Sequence, residues 1–425
     1  MEPSVPVHPL TAPNSSANRW GTATQFLHYV RRNTHSRRSD VTRFLELSSS
    51  SATELSSRLR RAHLITEDPT TASGPGRPSR IVAPHPLGPI VAAVEVSTRG
   101  WRLAIAEVTG PPQQLHHAPL PTLPGIFLDE LSGHIAHLRE VFGMRLMAVS
   151  ISVPATVRQG RFAEPFSLGW DALDFSPILE EFTSLPIYVE NNATLAALIE
   201  SEAMQHDSTY SRAILYLEIT ENVGGSFLID GTTVVGGTGT SGEFGHMALG
   251  DDSLGCRCGS VGCWGTSVSG YGIAHRLRDP EPEDPAGYLS DLLDLCFAES
   301  LDFASQAPVT PTVREPNNDT LRRITAVREA ADRFGRGTAA LCNALAPDAI
   351  ILGGLAASLQ RANSQAFDEA FDRHLMNARR IQPPLIRYAQ CGPDAALMGA
   401  ALLALDNTLD ERGIAAWARA HSSQR

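Results

Sequence analysis

Four metal-seeking side chains fall between residues 246 and 263: His246, Cys256, Cys258 and Cys263, in the spacing H-x9-C-x-C-x4-C. Half of the chain's six cysteines sit in this stretch. The surrounding fold must bend the chain back so that three thiols and an imidazole converge. Cysteines one residue apart do not readily pair as a disulfide, and Gly255, Gly259 and Gly262 permit the tight turns that convergence needs. Three soft thiolates and one imidazole suit zinc better than the other common metals. Four protein ligands leave no position for a reacting water, so the spacing predicts a structural zinc and no catalysis by it.

Clustered cysteines in a cysteine-poor chain fit a reducing compartment. The first residues, MEPSVPVHPLTAPNSSANRW, have neither the basic start nor the apolar core of a secretory signal. No apolar run approaches the roughly 20 residues that span a bilayer. The expectation is a cytoplasmic protein without membrane insertion. Its net charge of −11 hides an asymmetry. Residues 1–82 hold eleven arginines against six Asp and Glu, and the remainder holds 24 arginines against 40 acids. A small basic head on a large acidic body predicts a nucleic-acid contact at one end. There is no lysine, which excludes any chemistry that needs a lysine amine.

The head reads as a winged helix-turn-helix over residues 18–82, after a disordered tail at 1–17 that is rich in Pro and Ser. Phe26 and Val30 form an apolar stripe after Trp20. Val41, Phe44 and Leu45 repeat at helical spacing, as do Leu55, Leu59 and Leu64. The polar stretch ELSSSSA between them supplies a turn and an N-cap. TEDPTTASGPGRPSRIVAP then reads as a hairpin wing with its tip near residues 74–78. The recognition helix, from about Ser50 to Arg61, presents Ser50, Ser51 and Thr53 early, where short hydroxyls reach base edges. Arg58, Arg60 and Arg61 come late, and Arg77 and Arg80 lie on the wing, where arginines set register on phosphates. The partner so predicted is double-stranded DNA.

From residue 83 strands alternate with helices, which implies an α/β body of two lobes with a cleft between them. IVAAVEVSTRGWRLAIAEV reads as two paired strands. RLMAVSISVP, LPIYVENN, AILYLEIT and DAIILGG read as buried strands, and GGSFLIDGTTVVGG as a hairpin turning at Asp230-Gly231. Helices are expected over 129–142, 193–205, 324–346 and 395–405, and a surface loop over 306–319. No tandem repeat is evident.

Gly242-Glu243-Phe244-Gly245-His246, followed by Cys256-Arg257-Cys258-Gly259, Gly262 and Cys263, resembles the signature of the ROK family (repressor, open reading frame, kinase). VPATVRQGRFAEPFSLGW, VENNATLAALIE, PDAIILGGLAASL and GPDAALMGAALLAL resemble its other motifs, and the likeness covers roughly residues 20–405. It implies an actin-like, two-lobed sugar-kinase fold with the zinc beside a sugar site. By the same resemblance, sugar contacts fall on Asn191, Asn192, Glu243, His246 and the position of Gly265. His246 has two roles under the resemblance, zinc ligand or sugar contact. The domain limits are then 83–408 for the ROK body, with lobe one about 88–192 plus 393–408, lobe two about 193–392, and a C-terminal tail at 409–425.

Three departures from the family pattern bear on function. The family's catalytic aspartate is Asn192 here, and an amide cannot take a proton from an attacking hydroxyl. The two phosphate loops read Glu95-Val96-Ser97-Thr98-Arg99 and Glu218-Ile219-Thr220-Glu221-Asn222, where Arg99 is expected to crowd the turn and the glutamates to repel a polyphosphate. The sugar-holding glutamate is Gly265, and the neighbouring Trp264 fits either a sugar face or the core. These changes predict no catalytic residue and a regulator, expected to be a repressor, that binds DNA as a homodimer or higher homo-oligomer and senses a sugar or related molecule. The alternatives are an ATP-dependent sugar kinase with an extra domain, or a repressor controlled by a protein partner.

Overall fold

The computed structural model describes residues 18–33, 36–69, 80–204, 211–304 and 318–422. Helices α1 (Asn18–Arg32), α2 (Arg38–Phe44) and α3 (Ser49–Arg61) are followed by antiparallel strands β1 (Ile65–Pro69) and β2 (Arg80–Pro84). Local capping sets the turns. The Asp40 carboxylate accepts the Arg37 N–H at 3.3 Å, and the Ser48 hydroxyl accepts the Ser51 N–H at 3.1 Å. Helix α3 buries Ala52, Leu55, Ser56 and Leu59, one face at helical spacing. Leu55 and Leu59 share a core with Phe26, Leu27 and Val30 of α1, Val41 of α2, and Ile65 and Val82 of the strands. An isolated bridge from Arg37 to Ile81 adds a third short strand position beside the pair. Phe44 does not join this core. It is 63% exposed, with its ring tilted over Tyr29 at 4.6 Å, because α2 turns only Val41 fully inward. The wing tip, with Arg77, lies outside the described residues.

Two five-stranded sheets build the body, and both have the same wiring. The first has the order β10-β6-β3-β4-β5, with β3 (Ile90–Ser97), β4 (Gly100–Glu107), β5 (Gln113–Ala118), β6 (Leu146–Val153) and β10 (Ile187–Asn191). Short strands β7 (Thr156–Arg158), β8 (Phe162–Glu164) and β9 (Leu173–Asp174) form a small sheet between β6 and β10 in the chain. The second sheet has the order β13-β12-β11-β14-β15, with β11 (Ala213–Ile219), β12 (Val223–Ile229), β13 (Thr232–Thr233), β14 (Ala349–Gly354) and β15 (Leu385–Tyr388). In each sheet three strands make an antiparallel meander, and two more add in parallel beyond its first strand. The duplication lies in topology, where the sequence shows no repeat.

Helix α4 (Pro124–Phe142) packs Phe127, Leu131, Ile135 and Leu138 on the first sheet, and α5 (Ser176–Glu181) adds Ile178. Helix α6 (Asn192–Met204) lies against α14 (Ala395–Thr408), which returns the chain to β3 and β6. Their close crossing needs Gly399, where a Cβ would stand 1.9 Å from the Leu195 carbonyl oxygen. The second lobe is covered by α7 (Trp264–Val268), α8 (Gly270–Leu277), α9 (Pro285–Ala304), α10 (Asn318–Leu345), α11 (Leu355–Ala362), α12 (Ser364–His374) and α13 (Asn377–Ile381). The expected loop at 306–319 lies outside the described residues except for its last two, which open α10.

The expected C-terminal tail is a helix, α15 (Glu411–Ser422), packed on α1. Ile414, Trp417 and Ala418 are buried at helical spacing. Their partners lie almost four hundred residues earlier, so the short amphipathic pattern alone gives no sign of what covers it.

Candidate functional site

Between Phe244 and Trp264 the chain closes on itself through bridges Ala248–Cys263 and Gly255–Val261, and the Trp264 N–H donates to the Met247 carbonyl at 2.7 Å. Gly259 and Gly262 take φ of +90° and +65°, so the turns around the thiols use a conformation that side chains disfavour. One ligand atom from each of His246, Cys256, Cys258 and Cys263 lies within 4.8 Å of all the others. His246 Nδ1 stands 3.6 Å from Cys256 Sγ, and Cys258 Sγ 3.7 Å from Cys263 Sγ. A tetrahedral ion with metal–sulfur bonds of about 2.3 Å has sulfur–sulfur edges of about 3.8 Å. The donor set therefore fits a four-coordinate thiophilic cation. Burial, with the neighbouring Cys256 and Cys258 thiols, pushes the Cys263 thiol up to about 12. A bound cation reverses that preference by stabilising thiolates. His246 turns its other nitrogen, Nε2, toward Glu243 Oε2 at 3.7 Å, where a carboxylate orients the ring.

Glu243 links this cluster to the gap between the sheets. Its Oε1 accepts the Thr156 hydroxyl at 2.6 Å, just past the end of β6. At the end of β10, Asn191 is engaged within the protein: Nδ2 donates to the Ala155 carbonyl at 2.8 Å, and Oδ1 accepts the Ala193 and Thr194 N–H groups at 2.8 and 3.3 Å. It caps α6. Asn192 Nδ2 donates to Glu218 Oε1 at 3.2 Å, and the Tyr216 hydroxyl donates to Glu218 Oε2 at 2.9 Å. Burial above all, with Glu221 and Glu95 nearby, raises Glu218 to about 7 against the Tyr216 hydrogen bond.

The two loops after β3 and β11 touch each other. The Thr98 hydroxyl donates to Glu221 Oε1 at 2.6 Å. Arg102 pairs with Glu95 and with Asp394, the latter at 2.6 Å. Arg99 is exposed and does not crowd the turn, and the Thr98–Glu221 contact fills the gap instead. Asn222 is a site residue that spacing did not reveal. A Cβ on Gly265 would lie 1.6 Å from Asn222 Oδ1, so the Asn222 side chain takes the volume that Gly265 leaves. Its sequence signal is only the pairing of a missing side chain with an added one. Trp264 is core: it is fully buried, stacks on Phe334 at 5.5 Å, and donates Nε1–H to the Arg333 carbonyl at 2.9 Å.

On α3, Ser50, Ser51, Thr53, Arg60 and Arg61 are exposed. Ser50 and Ser51 hydroxyls cluster on Ser48 at 2.9 and 2.8 Å, the Thr53 hydroxyl donates to the Ser49 carbonyl at 2.8 Å, and Arg61 Nε donates to the Ser57 carbonyl at 3.3 Å. Arg58 lies over the Trp20 ring at 4.8 Å, a packing contact with α1. Arg80 opens β2, and Arg77 is outside the described residues. Among the described residues no helix is long and apolar enough to cross a membrane.

The ROK family model matches residues 92–407. A solved ROK family transcriptional regulator, a homologue of the E. coli MLC protein, superposes with a TM-score of 0.66 at 19% identity, covering 95% of this chain and 99% of that one. A ROK family glucokinase from Streptomyces griseus, solved with glucose and AMPPNP, superposes with a TM-score of 0.55 at 21% identity, covering 74% of this chain and 98% of its own. A glucokinase from Halalkalibacterium halodurans is 26% identical over 272 residues, 63% of this chain and 78% of that protein.

Proposed function

The chain belongs to the ROK family, and we propose that it is a DNA-binding transcriptional regulator, a repressor, whose kinase-like body has lost phosphoryl transfer. The observation that carries this reading is the N-terminal domain, α1 to β2, placed ahead of the body. The regulator's structure covers 95% of the chain, whereas the glucokinase's covers 74% of the chain. In a helix-turn-helix the second helix enters the major groove, so exposed Ser50, Ser51 and Thr53 would face base edges, and Arg60, Arg61, Arg77 and Arg80 the phosphates. Arg58 joins that list only if it leaves Trp20. Two such domains in a homodimer would read a roughly palindromic operator.

The cleft supports the loss of chemistry. Asn192 offers no carboxylate at the base position, and Glu95, Glu218 and Glu221 gather where a polyphosphate would sit. A sugar or related effector would bind at Asn192, Glu243 and His246, with Asn191 as their support. Zinc on His246, Cys256, Cys258 and Cys263 would shape that site as a structural ion, and the protein would act in the cytoplasm. Kinases among the relatives keep a second reading in view, an ATP-dependent sugar kinase carrying an extra domain. The test is selection of bound fragments from total genomic DNA by the purified full chain. Recovery of one recurring two-fold-related motif supports the regulator; recovery of random sequence contradicts it.

A further inference from the structure

Three histidines from three separate stretches of chain meet where the N-terminal domain joins the body. His63 follows the last turn of α3 at φ +53°, His85 lies between β2 and β3, and His421 is in the last turn of α15. The His63 and His85 rings stack at 4.4 Å with 12° between their planes, and His421 meets His63 edge-on at 5.7 Å. Trp417 ties the group together. Its ring stacks on His421 at 4.0 Å, and its Nε1–H donates to the Ala62 carbonyl, the C-cap of α3, at 2.7 Å. Gly88 closes the underside, where a Cβ would stand 2.8 Å from the His85 carbonyl oxygen and 3.0 Å from that of His63.

This packing favours a neutral His85. His85 Nδ1 accepts the Leu87 N–H at 3.1 Å, so a proton there removes the acceptor. The charged or chargeable groups that face His85 are His63, His421 and Arg145, which reaches in from the segment before β6 and donates Nε–H to the Gly88 carbonyl at 2.9 Å. Each disfavours a charge on His85, so protonating that ring adds repulsion. Burial first, then these neighbours, hold His85 below the ordinary imidazole value of 6.5.

We propose that the His63–His85–His421 cluster is a proton-sensitive joint, which holds the N-terminal domain on the body while His85 is neutral and loosens it when that ring charges. A base whose pKa is lower in the closed joint than in the open one stabilises closure above the open value. That contribution is lost as pH falls through it. Each unit of separation between the two values multiplies the open fraction by about ten at low pH. The joint grips the end of α3 itself, so its opening would change how that helix is presented. The inference needs no DNA, and it stands or falls apart from the regulator reading.

Hydrogen–deuterium exchange on the full chain tests it, read at residues 62–65 and 411–422 and corrected for intrinsic exchange, at about pH 7.5 and about pH 5.5. The wild type should lose protection in both segments at the lower pH, by up to about tenfold, while α10 keeps its own. His85→Gln, and independently His421→Gln, should flatten that response. Equal wild-type protection at both pH values, or variants that lose protection as the wild type does, would overturn the joint.

Discussion

The hydroxyl of Thr98 donates to the carboxylate of Glu221 across 2.6 Å, fastening the turn after β3 to the turn after β11. These turns face each other across the two lobes, and the bond occupies the gap between them. Buried Glu218 stands behind it, hydrogen-bonded to Asn192. On the proposed reading, the cleft has lost its phosphate cradle for reasons that one substitution does not repair. Asn192→Asp should restore a carboxylate at the base position and still give no sugar-dependent release of ADP. Measurable phosphorylation of glucose or N-acetylmannosamine by that variant would refute this account of the loops.

Glu218 should make stability depend on pH. Its carboxyl is raised from 4.5 to about 7 in the fold, chiefly by burial. The folded state therefore holds a proton that the unfolded chain releases. The contribution is full below about 4.5 and is lost as pH rises through about 7. Glu218→Gln, which cannot ionise, should gain thermal stability relative to the wild type between pH 5 and pH 8. The gap is read as Tm by calorimetry at both values, and a constant gap would mean that Glu218 does not titrate in this window.

Cys258→Ser should release about one zinc per chain and lower Tm, since each kcal/mol lost moves Tm by about 2–4 °C in a large domain. Metal analysis after gel filtration reads the first effect, and calorimetry the second. Full retention of zinc would remove Cys258 from the ligand set.

Arg58 and Arg60 are two residues apart on α3 and should behave differently. Arg58→Ala loses a cation–π contact with Trp20 of about 0.5–2 kcal/mol and should lower Tm. Arg60 is exposed, and Arg60→Ala should leave Tm unchanged while reducing the salt slope of DNA binding by about 1. Equal effects of the two variants on both readouts would show that the helix faces are misassigned.

Much of this architecture is legible in the chain. Apolar runs such as IVAAVEV and AILYLEI mark β3 and β11, the serine-rich turn marks the N-cap of α3, and the cysteine spacing marks a cluster that does converge. What escapes local pattern is long-range. Trp417 has its hydrogen-bond partner 355 residues away, so α15 reads as a tail. Phe44 fits a helical stripe yet faces outward, its ring over Tyr29. Asn222 matters only because Gly265, far along the chain, leaves room for it. The matching wiring of the two sheets is likewise a property of strand order, invisible to residue identity.

The central claim is that this ROK chain reads DNA and reports the state of a cleft that no longer transfers phosphate. Its most direct measurement is fluorescence anisotropy of labelled DNA from beside its own gene, titrated with the purified protein, with and without a panel of sugars and sugar phosphates. The account predicts tight binding that weakens steeply with salt and shifts several-fold with one member of the panel. Binding no tighter than to unrelated DNA of the same length would contradict it.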